Sequence, residues 1–160
     1  MPEIDVRALP LLPLTTGVVL PGMVVTLTLE SEDARAAADT ASGSGGLLLL
    51  VPKTDSGYAK VGTIAKVEEM GELRGGVRAV VIRGLRRGIV GLGVAGTGEA
   101  TWVEVEPVVE ADPSELARSL AREYRAVVET IVEARGVPQV ADLLLATPFS
   151  ASIVCWISET

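Results

Sequence analysis

A chain of 160 residues that is 48% apolar but only 3% aromatic can build an aliphatic core from Val, Leu, Ile and Ala, which excludes a disordered polymer. A net charge of -7 argues against a phosphate-backbone partner, and the scarcity of aromatics argues against base-stacking surfaces for single-stranded nucleic acid. The lack of histidine and the single cysteine, Cys155, exclude imidazole-based triads, cysteine metal clusters and an intramolecular disulfide, which fits a reducing compartment.

The start of the chain, Met1 to Asp5, is acidic and lacks the basic-then-apolar order of a signal peptide. No apolar run approaches the roughly 20 residues that span a bilayer. The expectation is a cytoplasmic protein with no membrane contact. Residues 1–111 are β-branched and punctuated by Gly and Pro; residues 112–160 read as helical. Leu9-Pro10-Leu11-Leu12-Pro13-Leu14 fits an edge strand or an extended lead-in, because two prolines remove two amide donors. Pro21-Gly22 marks a turn. Val25, Leu27 and Leu29 then alternate with Thr26 and Thr28, the period of a half-buried strand.

Ser31, followed by Glu32 and Asp33, starts an alanine-rich helix that Ser42 to Gly46 ends. Leu47 to Val51 is a continuous apolar run of strand length, expected to be buried on both faces and closed by Pro52, with a polar loop over Lys53 to Ala59. Val61 to Leu73 and Val77 to Ile82 are strands joined by an Arg74-Gly75-Gly76 hairpin. Arg86 to Val94 and Thr101 to Val109 supply two more. Asp112-Pro113-Ser114-Glu115 predicts a helix capped by Asp112, carrying an apolar stripe of Leu116, Leu120, Tyr124, Val127, Val128 and Ile131 that Gly136 and Pro138 end. A shorter helix is expected over Val140 to Leu145, another from Pro148, with an apolar set at Ile153, Val154, Trp156 and Ile157.

The chemistry-bearing patterns are sparse. No Gly-Lys-Ser or Gly-Lys-Thr is present, so there is no P-loop. Gly91-Leu92-Gly93-Val94-Ala95-Gly96 matches a dinucleotide fingerprint in form, but a strand rather than a helix is expected to follow. Arg83, Arg86 and Arg87, with Arg74 and Arg78, form either a basic patch or the partners of Glu68, Glu69 and Glu72. Glu68 and Glu69 are adjacent on a strand and point to opposite faces, so they do not form a catalytic pair. A serine activated by Lys53, Lys60 or Lys66 is the remaining hydrolase reading, and nothing marks one. Cys155 beside Trp156 reads as a small apolar residue. No catalytic, cofactor-binding or metal-binding residue is assigned.

Leu9-Pro10-Leu11-Leu12-Pro13-Leu14 followed by Val18-Val19-Leu20-Pro21-Gly22-Met23 resembles the opening of Lon protease N-terminal domains. The helix around 31–42, the strand ending at Val51, Val61-Gly62-Thr63-Ile64-Ala65, the Gly-tipped hairpin into Val77-Arg78-Ala79-Val80-Val81, and Ile82-Arg83-Gly84-Leu85-Arg86-Arg87 follow in that family's order. The resemblance covers residues from about 8 to 135. It implies an α+β domain: a β-rich, PUA-like pseudo-barrel over 1–111, then a helical segment, the start of a bundle, over 112–160. It also implies a non-catalytic domain that captures unfolded or damaged proteins and supports hexamer assembly with other Lon protomers. ATP and Mg would belong to modules elsewhere in the parent protein, with no cofactor in this chain. The alternative is a stand-alone Lon-domain adaptor or RNA-binding module without a protease.

Within that reading, client contacts are expected at Leu20, Pro21 and Met23 in the first turn and at Met70 and Leu73 near the hairpin tip. These are bulky apolar residues where burial is hardest, and methionine is flexible and polarisable. The competing reading makes all five core or small-patch residues.

Overall fold

The computed structural model describes residues 8–109 and 111–136. The expectations for Met1 to Asp5, for helices over 140–145 and from Pro148, and for Cys155 and the apolar set at 153–157 lie outside the described residues. The chain divides into two compact units, Met1–Val108 and Val109–Thr160.

Among the described residues the first unit contains seven strands and one helix: β1 (Ala8–Leu14), β2 (Val24–Thr28), α1 (Glu32–Gly43), β3 (Leu47–Thr54), β4 (Gly57–Tyr58), β5 (Val61–Leu73), β6 (Val77–Val94) and β7 (Trp102–Pro107). Hydrogen bonding runs β1-β7-β6-β5-β3, and a parallel β1–β3 pairing joins the ends. The five strands form a closed ring, which removes the free edges an open sheet would carry. β4 forms a short hairpin with the end of β3, and β2 pairs with the first half of β6. The expected β-rich barrel followed by a helix is the observed fold.

Three local expectations are corrected. β1 is not an edge strand, because it lies between β7 and β3. Its prolines fit since β1 changes partner along its length, pairing with β7 over Ala8–Pro10 and with β3 over Leu11–Leu14. The Leu11 amide donates to the Thr101 carbonyl at 2.8 Å. Main-chain groups alternate sides, so the Pro10 nitrogen faces the β3 side before that pairing begins. The Pro13 nitrogen faces the β7 side after that pairing has ended.

Pro52 does not close β3, which continues to Thr54. β5 has already parted from β3 after Leu50, and the Pro52 carbonyl accepts from the Ala59 amide at 3.0 Å. Finally, 77–82 and 86–94 are one strand. β6 runs unbroken for 18 residues, with register shifts against β5 and β7 that let it bend.

β1 and β3 each serve two cores. Leu9, Leu11, Leu49 and Val51 point into the ring with Ile64, Val103 and Val105. Leu12, Leu14, Leu48 and Leu50 point the other way, against α1 and the β2–β6 sheet. The run at 47–51 is therefore buried on both faces, as its unbroken hydrophobicity predicts. α1 forms because the Ser31 hydroxyl accepts from the Ala34 amide at 3.1 Å, with Glu32 and Asp33 at the positive end of the dipole. Its buried stripe is Ala34, Ala37, Ala38 and Ala41, small enough for close approach to the strands. Replacing Ser31 by Ala is expected to cost about 1 kcal/mol, read from the urea midpoint against wild type; an unmoved midpoint would show that the cap does not support α1.

The second unit contains α2 (Glu115–Ala134). Its cap is Ser114 rather than Asp112, because the Ser114 hydroxyl accepts from the Ala117 amide at 3.1 Å. Pro113 thus precedes the helix instead of opening it. The predicted stripe is on one face, and Leu116, Leu120, Tyr124, Val127 and Ile131 are exposed.

Candidate functional site

Pro21-Gly22 makes the turn that its dipeptide predicts. The Met23 amide donates to the Leu20 carbonyl at 3.1 Å, and Gly22 has φ +85°, which fits a type II turn with Pro at its second position. The turn is tied to β6 by two bonds. The Gly22 amide donates to the Gly84 carbonyl at 2.9 Å, and the Gly84 amide donates to the Met23 carbonyl at 2.8 Å. Just before the turn, the buried Thr63 hydroxyl donates to the Val19 carbonyl at 2.5 Å. Leu20, Pro21 and Met23 are half-buried on this fixed loop. The Met23 sulfur also accepts from the Leu20 amide at 3.4 Å, which closes the side chain over the turn.

Met70 and Leu73 lie elsewhere. Met70 is half-buried opposite Val80, and its sulfur accepts from the Ser42 hydroxyl of α1 at 2.8 Å. Leu73 is exposed opposite Val77 at the hairpin tip. Residues three apart on a strand face opposite sides, so Leu73 does not join Met70. The structure thus groups Leu20, Pro21 and Met23, and Met23 and Met70 both pack against the helix-side core. The tip is separated from the turn by the length of β6 between Val77 and Gly84, roughly 23 Å.

Sequence reasoning missed Val24 and Val77. Both are exposed and stand on the outward face of the β5–β6–β2 sheet, with Leu73 and the threonines of β2. Continuing the period-2 pattern through 77, 79 and 81 would have placed Val77 on that face. Arg83 shares this face, whereas Arg78 lies on the α1 side of β6. The Arg83 guanidinium donates to the Glu68 carboxylate at 2.9 Å. Arg78 binds Asp39 of α1 with both terminal guanidinium nitrogens, one at 3.0 Å, and its hydrogen bond holds the Asp39 carboxyl below the usual range. The arginines thus pair with acids in part as expected, though Arg78 chooses a helix aspartate over Glu72.

The other patterns have structural roles. Gly91 to Gly96 ends β6 and leads into a loop and β7, not a helix. A Cβ at Gly96 would overlap the Trp102 indole, whose N–H donates to the Thr97 carbonyl at 2.9 Å. Among the described residues, no serine is hydrogen-bonded to Lys53, Lys60 or Lys66, and no group of acids and cysteine could hold a metal ion. No helix among them is long and apolar enough to cross a membrane.

Comparison with known proteins gives consistent matches. The family model of the ATP-dependent protease La (LON) substrate-binding domain matches residues 8–152. A Lon protease of Salinispora arenicola is 43% identical over 157 residues, covering 94% of this chain and 20% of the relative. A Lon protease of Mycolicibacterium smegmatis is 37% identical over 141 residues, covering 88% and 18%. The N-terminal domain of Mycobacterium avium complex Lon protease superposes with a TM-score of 0.80 at 37% identity, over 89% of this chain and 77% of that one. The chain spans about a fifth of the length of these curated relatives.

Proposed function

The chain belongs to the Lon substrate-binding-domain family, and on that premise we propose that it is the non-catalytic recognition domain of an ATP-dependent Lon-type protease. In this reading it captures unfolded or damaged proteins in the cytoplasm through its apolar turn and supports assembly of a homo-hexamer. ATP and Mg serve an ATPase module, and peptide cleavage belongs to a Ser-Lys protease module, both on other parts of the parent chain. Residues 112–160 then begin the helical bundle that follows the barrel.

The observation that carries the proposal is the turn at Leu20 to Met23. Three apolar side chains stand half-buried on a loop tied to β6 through Gly22 and Met23 and to β5 through the Val19 carbonyl. Unfolded chains expose apolar side chains, and a rigid apolar patch binds them without losing its own conformational entropy. Two thioethers, Met23 and Met70, adapt to many client shapes. Contacts repeated around six protomers raise avidity without demanding high affinity at one site.

The test compares binding of reduced, alkylated lactalbumin, which cannot fold, by wild type and by a Met23→Ser, Met70→Ser double variant. Loss of two apolar anchors is expected to weaken binding roughly tenfold. Unchanged affinity, in a variant whose circular dichroism matches wild type, removes the methionines from the client surface. A salt-sensitive RNA gel shift would favour the adaptor reading instead, against the charge of -7.

A further inference from the structure

β2 is hydrogen-bonded on one side only, and β6 is its partner among the described strands. The phase of that ladder is fixed at both ends. The Leu29 amide donates to the Arg78 carbonyl, and the Gly84 amide donates to the Met23 carbonyl, each at 2.8 Å. In an antiparallel pair the bonded residues recur at every second position. With Val24 opposite Arg83 and Thr28 opposite Ala79, residues 23, 25, 27 and 29 turn their main-chain groups towards β6. Val24, Thr26 and Thr28 therefore turn three N–H donors and three C=O acceptors to the open side. All three residues are exposed, and no hydrogen bond from a described loop or helix reaches their main chain.

Folded proteins blunt such an edge with lysine, proline or a bulge. Val24-Val25-Thr26-Leu27-Thr28 carries no charge and no proline, and its register against β6 has no shift. β5 is also unpaired on one side beyond Lys66, but that stretch carries Glu68, Glu69 and Glu72, and β4 is only two residues long, so among the described strands β2 is the longer uncharged open edge. We propose that the open edge of β2 is a docking strip that takes one extended segment of an unfolded client as an added strand, paired at positions 24, 26 and 28. This rests on the client-capture reading above and specifies how the client's main chain is held.

The partner's chemistry follows from the strip. Donors and acceptors recurring at about 6.8 Å match an extended polypeptide and not a helix. Proline is excluded from the client positions that face β2, because the pairing needs their amides. Side chains of the added strand alternate between two faces. Those beside Val25 and Leu27 extend the helix-side core, so they are apolar at every second position. A second copy of this chain fits less well. Five residues of edge, about 17 Å long, supply few main-chain hydrogen bonds to hold two folded domains together, and two copies each carrying a charge of -7 repel.

Thr26→Pro tests the strip, since the amide it removes faces the open side and not β6. With reduced, alkylated lactalbumin as the probe, Thr26→Pro is expected to bind about tenfold more weakly, while Thr26→Val binds like wild type. Amide exchange in the wild-type chain gives a second readout that does not depend on the variant folding. Saturating lactalbumin should slow exchange at Val24, Thr26 and Thr28. Exchange at these three amides that stays as fast as in the free chain overturns the proposal, as does wild-type affinity in a folded Thr26→Pro. Protection that rises with protein concentration alone assigns the edge to a second copy, and also overturns it. If Thr26→Pro binds normally while the double methionine variant does not, the strip fails and the apolar turn stands. The reverse pattern retains the strip and removes the methionines.

Discussion

Gly84→Ala is expected to destabilise the domain by about 2–3 kcal/mol, whereas Gly71→Ala, in the same sheet, stays within about 0.5 kcal/mol of wild type. A Cβ at Gly84 would meet the Leu20 carbonyl oxygen at 2.4 Å, its carbonyl carbon at 3.1 Å and the Pro21 Cα at 3.4 Å. All three are main-chain atoms, so no rotamer change relieves the contact. At Gly71 a Cβ meets nothing within 4 Å. The added methyl forces the turn away from β6 and breaks the two bonds that tie Gly22 and Met23 to Gly84. Client affinity is expected to fall with stability in Gly84→Ala, because Leu20, Pro21 and Met23 ride on that turn. Urea midpoints of the two variants decide the matter; equal midpoints would mean that the turn is not held against Gly84.

Leu49→Ala and Leu50→Ala are each expected to cost about 3 kcal/mol, in spite of facing opposite ways. Leu49 is fully buried in the ring, and Leu50 is 1% exposed on the helix side. Each truncation leaves a cavity walled by strands whose hydrogen bonds keep them from collapsing. Leu92 supplies the contrast: it is 76% exposed, and its replacement by Ala should stay within about 0.5 kcal/mol. Thermal melts of the three variants test this. If either Leu49→Ala or Leu50→Ala behaves like Leu92→Ala, the face it lies on is not a core.

Much of the framework is legible locally because local physics decides it. The Pro21-Gly22 turn, the alternation at 24–28, the Ser31 cap and the doubly buried run at 47–51 each follow from a few neighbouring residues. What the sequence hides depends on partners remote in the chain. Pro10 and Pro13 look like edge residues until β1 is seen to pass from β7 to β3 between them. Gly84 looks like a break between two strands, yet it is a point of close approach inside one. Ser114 displaces Asp112 as a cap because both are competent, and only geometry chooses. The candidate site divides in the same way. The type of residue to look for could be read from turn positions, but not that Leu73 faces away from Met70, nor that Val24 and Val77 share its face.

The two-sided burial of β3 has a consequence for how the domain fails. β3, beside β1, is a wall common to both hydrophobic compartments, so neither compartment can lose it and leave the other whole. Loss of order in the barrel is then expected to follow a single cooperative transition. For a domain proposed to seize denatured chains this matters, since a partly melted receptor would display the very segments it is meant to bind and would compete with its own clients.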